Sequence, residues 1–193
     1  MKAIQILPST MVIGILLLSN YSHANDKLIP IEQLAKYPLE LQIEFKESEE
    51  TCKSAKYGVI EYKSPLSAKP GYITKADVTG DGIDDYIVNT GRLDCKYGAS
   101  IWGNFPTFNV YQGLTRNRAK AIYNSNSFNV GDETYPGVVS NKQGFFDIQS
   151  IGAGGECGQE GNYSFASMQA CEITQRWNKR AQEMETIAIK TLE

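Results

Sequence analysis

The sequence predicts a mostly β, antiparallel single domain with one or two short helices, α+β being the alternative class. Three observations carry the prediction. Short runs of alternating apolar and polar residues, or of β-branched and aromatic ones, recur between clusters of Gly, Pro, Asn and Asp. The four cysteines, Cys52, Cys95, Cys157 and Cys171, are even in number and read as two disulfides in a domain of ordinary size. Beyond the first 24 residues no stretch reaches the about 18 consecutive apolar residues that a membrane-spanning helix needs.

Residues 1–24 read as a secretory signal. Lys2 is the charged n-region, Met11 to Leu18 the apolar h-region, and Ser22-His23-Ala24 a small-residue cleavage site. Residues 25–193 then form one secreted domain. Lys27 to Tyr37 fits a loop and a short helix, with Pro30 early in it. Leu39, Leu41, Ile43 and Phe45 alternate with Glu40, Gln42, Glu44 and Lys46, which predicts a half-buried strand. Glu47-Ser48-Glu49-Glu50 follows as a solvated turn. Further strands are expected at Gly58–Tyr62, Tyr72–Ala76, Tyr86–Asn89, Thr107–Gln112, Ala119–Asn124 and Gly144–Ile151, with loops at Asn124–Gly137 and Cys157–Tyr163. No repeat of about 20–50 residues appears, so the chain is not a propeller or solenoid array.

The tail supports two patterns. Ile173, Trp177, Ala181, Met184 and Ala188 fall at helical spacing, while Cys171–Trp177, Asn178-Lys179 and Arg180–Ile187 fit a hairpin. For the cysteines, pairing Cys157 with Cys171 closes a short loop within one Gly-rich segment, and Cys52 with Cys95 follows by elimination. A four-thiolate metal site would favour a C-x-x-C pair, and the chain has none.

Charge and histidine exclude several functions. The chain holds 19 Lys and Arg against 22 Asp and Glu, a net charge of −3, and removing the signal takes away Lys2 and no acid. That balance gives no basic face for nucleic acid. The single histidine, His23, lies within the signal. The processed chain therefore has no Ser-His-Asp or Cys-His catalysis, no histidine zinc site and no imidazole base.

One stretch carries chemistry. Counting from Asp77, oxygen-bearing side chains stand at positions one, three, five and nine: Asp77, Thr79, Asp81 and Asp85. Gly82 permits a sharp turn, and the carbonyl of Ile83 supplies a further oxygen. Alternate residues can thus turn hard oxygens toward a common centre, the arrangement Ca²⁺ takes with about six to eight ligands. An EF-hand would place Glu where Val88 stands and continue into a helix, whereas Tyr86-Ile87-Val88 reads as strand.

Asp77-Val78-Thr79-Gly80-Asp81-Gly82-Ile83-Asp84-Asp85-Tyr86-Ile87-Val88 resembles the D-x-[DN]-G-D-G-x-x-D loop and following strand of FG-GAP/VCBS-type repeats. Thr79 replaces the usual Asn or Asp. The resemblance implies a Ca²⁺ ion, structural in role, held by Asp77, Thr79, Asp81, Ile83 and Asp85. With a single loop present, it does not imply a propeller. The layout is also similar to small secreted bacterial proteins of unknown function, in which one such loop precedes a Cys-bearing segment and a later Cys…Cys…Trp hairpin. Asp94-Cys95, Gly155-Glu156-Cys157-Gly158, Cys171 and Trp177-Asn178 would be the matching pieces, and this implies a hairpin at the tail.

Weaker candidates remain. Gly152-Ala153-Gly154-Gly155 suggests an anion cradle but lacks the Lys-Ser/Thr of a phosphate loop. Glu156 with Glu160, or Asp94 with Asp147, could form an acid/base pair. Trp102-Gly103-Asn104-Phe105-Pro106 and the tyrosines could form a sugar or peptide platform. The expected product is a calcium-binding, non-enzymatic module, periplasmic or extracellular, with no membrane span after signal removal. Its partner would be a protein or a cell-envelope polymer, and an inhibitor or immunity-type protein is one concrete form. The alternative is a histidine-free envelope hydrolase using a carboxylate pair or calcium-assisted chemistry.

Overall fold

The computed structural model describes residues 31–54, 56–57, 60–61, 66–95, 106–128 and 134–192. The signal segment with His23, Trp102 to Phe105, and part of the Asn124–Gly137 loop lie outside the described residues. A 3₁₀ turn at Ile31–Lys36 leads into helix α1, Leu39–Ser54. Twelve strands follow: β1 (Lys56–Tyr57), β2 (Ile60–Glu61), β3 (Leu66–Ala68), β4 (Ile73–Ala76), β5 (Asp85–Asn89), β6 (Leu93–Cys95), β7 (Thr107–Leu114), β8 (Arg118–Asn126), β9 (Gly137–Ser140), β10 (Phe146–Ala153), β11 (Ala170–Asn178) and β12 (Glu183–Thr191). The two larger sheets run β4-β5-β7-β8 and β12-β11-β10-β9, and every pairing is antiparallel. β3 pairs with β6 and β1 with β2.

Three layers result. Ala76, Val78, Ile87, Phe108 and Val110 of the first large sheet meet Ile148 and Trp177 of the second. On the other side of the first sheet, α1 buries Leu41, Phe45 and Cys52 against Tyr72, Val88, Leu93 and Ala119. The period-two alternation of a strand divides these faces, Ile87 pointing to one core and Val88 to the other. The Phe45 and Tyr72 rings meet edge to face, centroids 5.7 Å apart. Among the described residues, no helix is long and apolar enough to cross a membrane.

The mostly β class and its disulfides stand, Cys52–Cys95 and Cys157–Cys171 having Cα separations of 5.5 and 5.6 Å. The expected strand at Leu39–Lys46 does not form; that segment is the first half of α1. Its alternation is real, but the buried set is Leu41, Phe45, Ser48 and Cys52, at helical spacing. Leu39 and Ile43 are left exposed on the outer side. The Glu/Lys/Gln-rich run favours helix through Ser54, so Glu47–Glu50 is helical rather than a turn. Lys53 pairs with Glu49 and Glu50 one turn back. The tail is the hairpin β11–β12, its return strand beginning at Glu183 rather than Arg180.

α1 carries one acid into the interior. Glu44 Oε1 accepts the Asn109 amide at 2.6 Å, while Oε2 and the Tyr72 hydroxyl are buried without hydrogen-bond partners. Burial pushes the Glu44 carboxyl above its ordinary value, opposed by the nearby Tyr111 hydroxyl and the Asn109 amide. The folded state therefore binds this proton more tightly than the unfolded chain. Glu44 contributes full stability below the ordinary glutamate value of 4.5, and that contribution is lost as pH rises through the raised folded value. Glu44→Gln keeps an acceptor for Asn109 and never ionises. It is expected to exceed wild type by about 1 kcal/mol near neutral pH and to flatten the decline above pH 4.5 in urea unfolding. A variant weaker than wild type at neutral pH would show that Glu44 carries no burial penalty.

Candidate functional site

The residues singled out by spacing lie in the turn joining β4 to β5. Asp77 folds the turn onto itself: Oδ1 accepts the N–H groups of Gly80 at 2.6 Å and Asp81 at 3.1 Å, and Oδ2 accepts Gly82 N–H at 2.9 Å. Gly80 and Gly82 take positive φ angles of 68° and 85°, which an L side chain rarely adopts. Asp81 accepts Ile83 N–H at 2.9 Å on one oxygen and the Gln112 amide of β7 at 2.9 Å on the other.

Asp85 behaves differently. It is fully buried (0% exposed) at the start of β5. Its Oδ2 accepts Val78 N–H at 2.8 Å and Thr79 N–H at 2.7 Å, and Oδ1 accepts Gly113 N–H of β7 at 2.9 Å. Burial pushes its carboxyl pKa above the ordinary aspartate value, and the N–H donors of Thr79, Gly113 and Val78 act in the opposite direction. The carboxylate thus ties both ends of the turn to the neighbouring strand. Gly113 permits this approach, because a Cβ there would stand 2.0 Å from the Asp84 carbonyl oxygen.

The Thr79 hydroxyl is buried and makes no hydrogen bond of adequate geometry, although it lies close enough to Asp85 to favour that group's ionised form. An ionised carboxylate offers about four acceptor sites. Asp77 and Asp81 therefore retain lone pairs after their three and two hydrogen bonds. The donor chemistry left to a hard cation is Asp77, Asp81, Thr79 Oγ1 and the Ile83 carbonyl, with Asp85 largely occupied. Among the described residues, no group of three Asp, Glu, His or Cys side chains is arranged to hold a metal ion.

The turn is docked on the second large sheet. Phe146 N–H donates to the Asp77 carbonyl at 3.0 Å, and the Lys179 ammonium donates to the Gly80 carbonyl at 2.5 Å. That ammonium also stands 5.2 Å from the Phe145 ring centroid. A Cβ on Gly80 would come within 2.7 Å of Lys179 Nζ and 2.9 Å of Phe145. Gln112, Gly113 and Lys179 are the participants that spacing did not reveal; they reach the turn through tertiary contact, Lys179 from 99 residues away.

The other candidates are drawn into local structure. Gly154 N–H donates to the Gln169 carbonyl, Gly155 N–H to the Tyr163 hydroxyl and Gly158 N–H to the Gly155 carbonyl, so these amides are not turned to an anion. Glu156 accepts Ala153 N–H at 3.2 Å. Asp94 pairs with Lys69 at 2.8 Å on the β3–β6 ribbon, while Asp147 is held by Arg176 at 2.6 Å and by Asn141 on the second large sheet. The two acids belong to different sheets and different ion pairs. Tyr72, Tyr86, Tyr111 and Tyr123 pack against the two cores rather than forming an open platform.

No protein-family model, no curated protein and no solved structure matches this chain.

Proposed function

We propose that this protein is an exported, calcium-stabilised β-rich binding module, its signal removed and its domain placed in the periplasm or outside the cell. The observation that carries the reading is the β4–β5 turn, in which Asp77 and Asp81 hold the four backbone N–H groups of Gly80 to Ile83 in a tight arc while keeping lone pairs, beside the buried, unpartnered Thr79 hydroxyl. Two carboxylates, one hydroxyl and one carbonyl fall short of the about six to eight oxygens that Ca²⁺ takes, so water completes the shell. A small ligand charge of this kind belongs with weak extracellular calcium modules, in the range of about 0.1–1 mM. The ion's role is to pin the turn against β7 and the second sheet. Partners are a protein or a cell-envelope polymer, an inhibitor or immunity role against an envelope enzyme being the concrete form.

Binding is favoured over hydrolysis because Asp94 and Asp147 each sit in a separate ion pair and Glu156 caps its own turn. The test is thermal unfolding of the oxidised protein in EDTA and then across a calcium titration. Stability is expected to rise by about 2.7 kcal/mol at a hundredfold excess over the dissociation constant, and Asp81→Ala is expected to lose the rise. Absence of any shift up to about 10 mM Ca²⁺ would make the turn metal-independent and remove the calcium reading.

A further inference from the structure

The two larger sheets have four edges, of which two are short and a third is met at one end by α1. β4 and β9 are four-residue strands. β8 has nine residues, and α1 occupies its start: Glu40 accepts Ala119 N–H at 3.0 Å and pairs with Arg118 at 2.6 Å. β12 also has nine residues and is exposed at every one except Met184, which is half-buried. Among the described residues no strand pairs with its outer side. Such an edge presents a row of backbone donors and acceptors to any strand that can match it.

The charges on the outer face say which strand matches. The register sets Glu185 opposite Arg176 and Lys190 opposite Glu172. Arg176 in turn grips Asp147 of β10 at 2.8 and 2.6 Å. One row therefore reads acid, base, acid and ends at the β12 edge on Glu185. The other ends there on Lys190. These two residues are an odd number of positions apart and would face opposite ways on a regular strand. A register shift opposite Thr174 and Gln175 leaves Ile187 as the extra residue, and that brings both charges to one face. Between them in the strand, Ile187 at the bulge is 45% exposed, and Ile189, opposite Ile173 on the other face, is 53% exposed.

We propose that β12 is the interface through which two copies of this chain associate, pairing antiparallel about a two-fold axis with Glu185 of each copy facing Lys190 of the other. The alternating rows then continue through the junction: Asp147, Arg176, Glu185, then Lys190 and Glu172 of the second copy. Ile187 and Ile189 are covered at the centre, and the second sheet becomes one sheet of twice the strand number. An isologous contact of this kind closes on itself and does not propagate into fibres.

The experiment uses the full oxidised protein. Sedimentation equilibrium is expected to show a dimer at about 0.1 mM, weakened by added salt. A zero-length carbodiimide cross-linker applied to a mixture of ¹⁴N- and ¹⁵N-labelled protein is expected to join Glu185 of one copy to Lys190 of the other in mixed-isotope peptides. Lys190→Gln is expected to weaken association about tenfold, since two pairs are lost per dimer, with its thermal unfolding at low concentration unchanged. A monomer at that concentration would overturn self-association and leave the edge to a foreign strand. Cross-links at other sites, or a Lys190→Gln dimer as tight as wild type, would overturn the register.

Discussion

Asp85→Ala is expected to destabilise the protein by about 4 kcal/mol, because it leaves the N–H groups of Val78, Thr79 and Gly113 without an acceptor in the interior. Each buried donor so orphaned costs about 1–3 kcal/mol, and the shortened side chain leaves a void besides. The loss stays below the sum of these, because burial already penalises the wild-type charge and water can reach part of a relaxed turn. For a domain whose whole stability is about 5–15 kcal/mol, the midpoint should fall by about 10–15 °C. Asp85→Asn retains one acceptor oxygen but turns an amide donor toward backbone donors, and about half the loss is expected. The decisive comparison is with Asp81→Ala in EDTA. Asp81 is exposed and holds one backbone N–H, so its loss should be about 1 kcal/mol or less. Small and equal effects of the two variants in EDTA, with the losses appearing only once calcium is supplied, would show that Asp85 is a ligand and not the anchor.

The second large effect is expected from the disulfides, and in a fixed order. Cys52–Cys95 spans 43 residues, and replacing both by Ser should cost about 4 kcal/mol on the chain-entropy account. Cys157–Cys171 spans 14 residues and should cost about 3 kcal/mol. The longer bridge also ties α1 to β6, so its loss should free the helix from the Tyr72–Val88–Leu93 side of the core. Urea midpoints give the order, and hydrogen exchange in Leu41 to Cys52 locates the effect. If the Cys157/Cys171 variant proves the weaker of the two, loop length is not what governs these bridges.

β7 was legible because a half-buried antiparallel strand writes its burial into alternate residues, whereas β5 and β10, buried at most positions, showed only as short apolar runs between turn residues. The 171–177 run of β11 alternates without a break, yet spacing there also fitted a helix, and it was the resemblance in layout that implied the hairpin. Leu39 to Phe45 also alternates, yet forms helix. Every second position is compatible with two periods over eight residues, and only Ser48 and Cys52, further on, distinguish them. β3, β6 and β9 are three or four residues long and carry too few side chains to show a pattern. The candidate turn was legible because its geometry is local: Asp77 bonds to residues three to five positions away, and the glycines fall where φ is positive.

Spacing alone grouped Asp85 with Asp77 and Asp81 as oxygen donors. The fold separates them, taking Asp85 inward to Val78, Thr79 and Gly113 and leaving Asp81 at the surface with Gln112. By itself the sequence determined the β-rich class and the place of the turn, and it favoured one of three possible cysteine pairings, which the structure then settled as Cys52–Cys95 and Cys157–Cys171. The tertiary structure alone decided which oxygens are free, that Lys179 reaches Gly80, and that β12 is the exposed long edge with Glu185 and Lys190 on one face. Those are consequences of sheet order, register and a single bulge, and side chains many tens of residues apart in sequence acquire them only when the sheets stack.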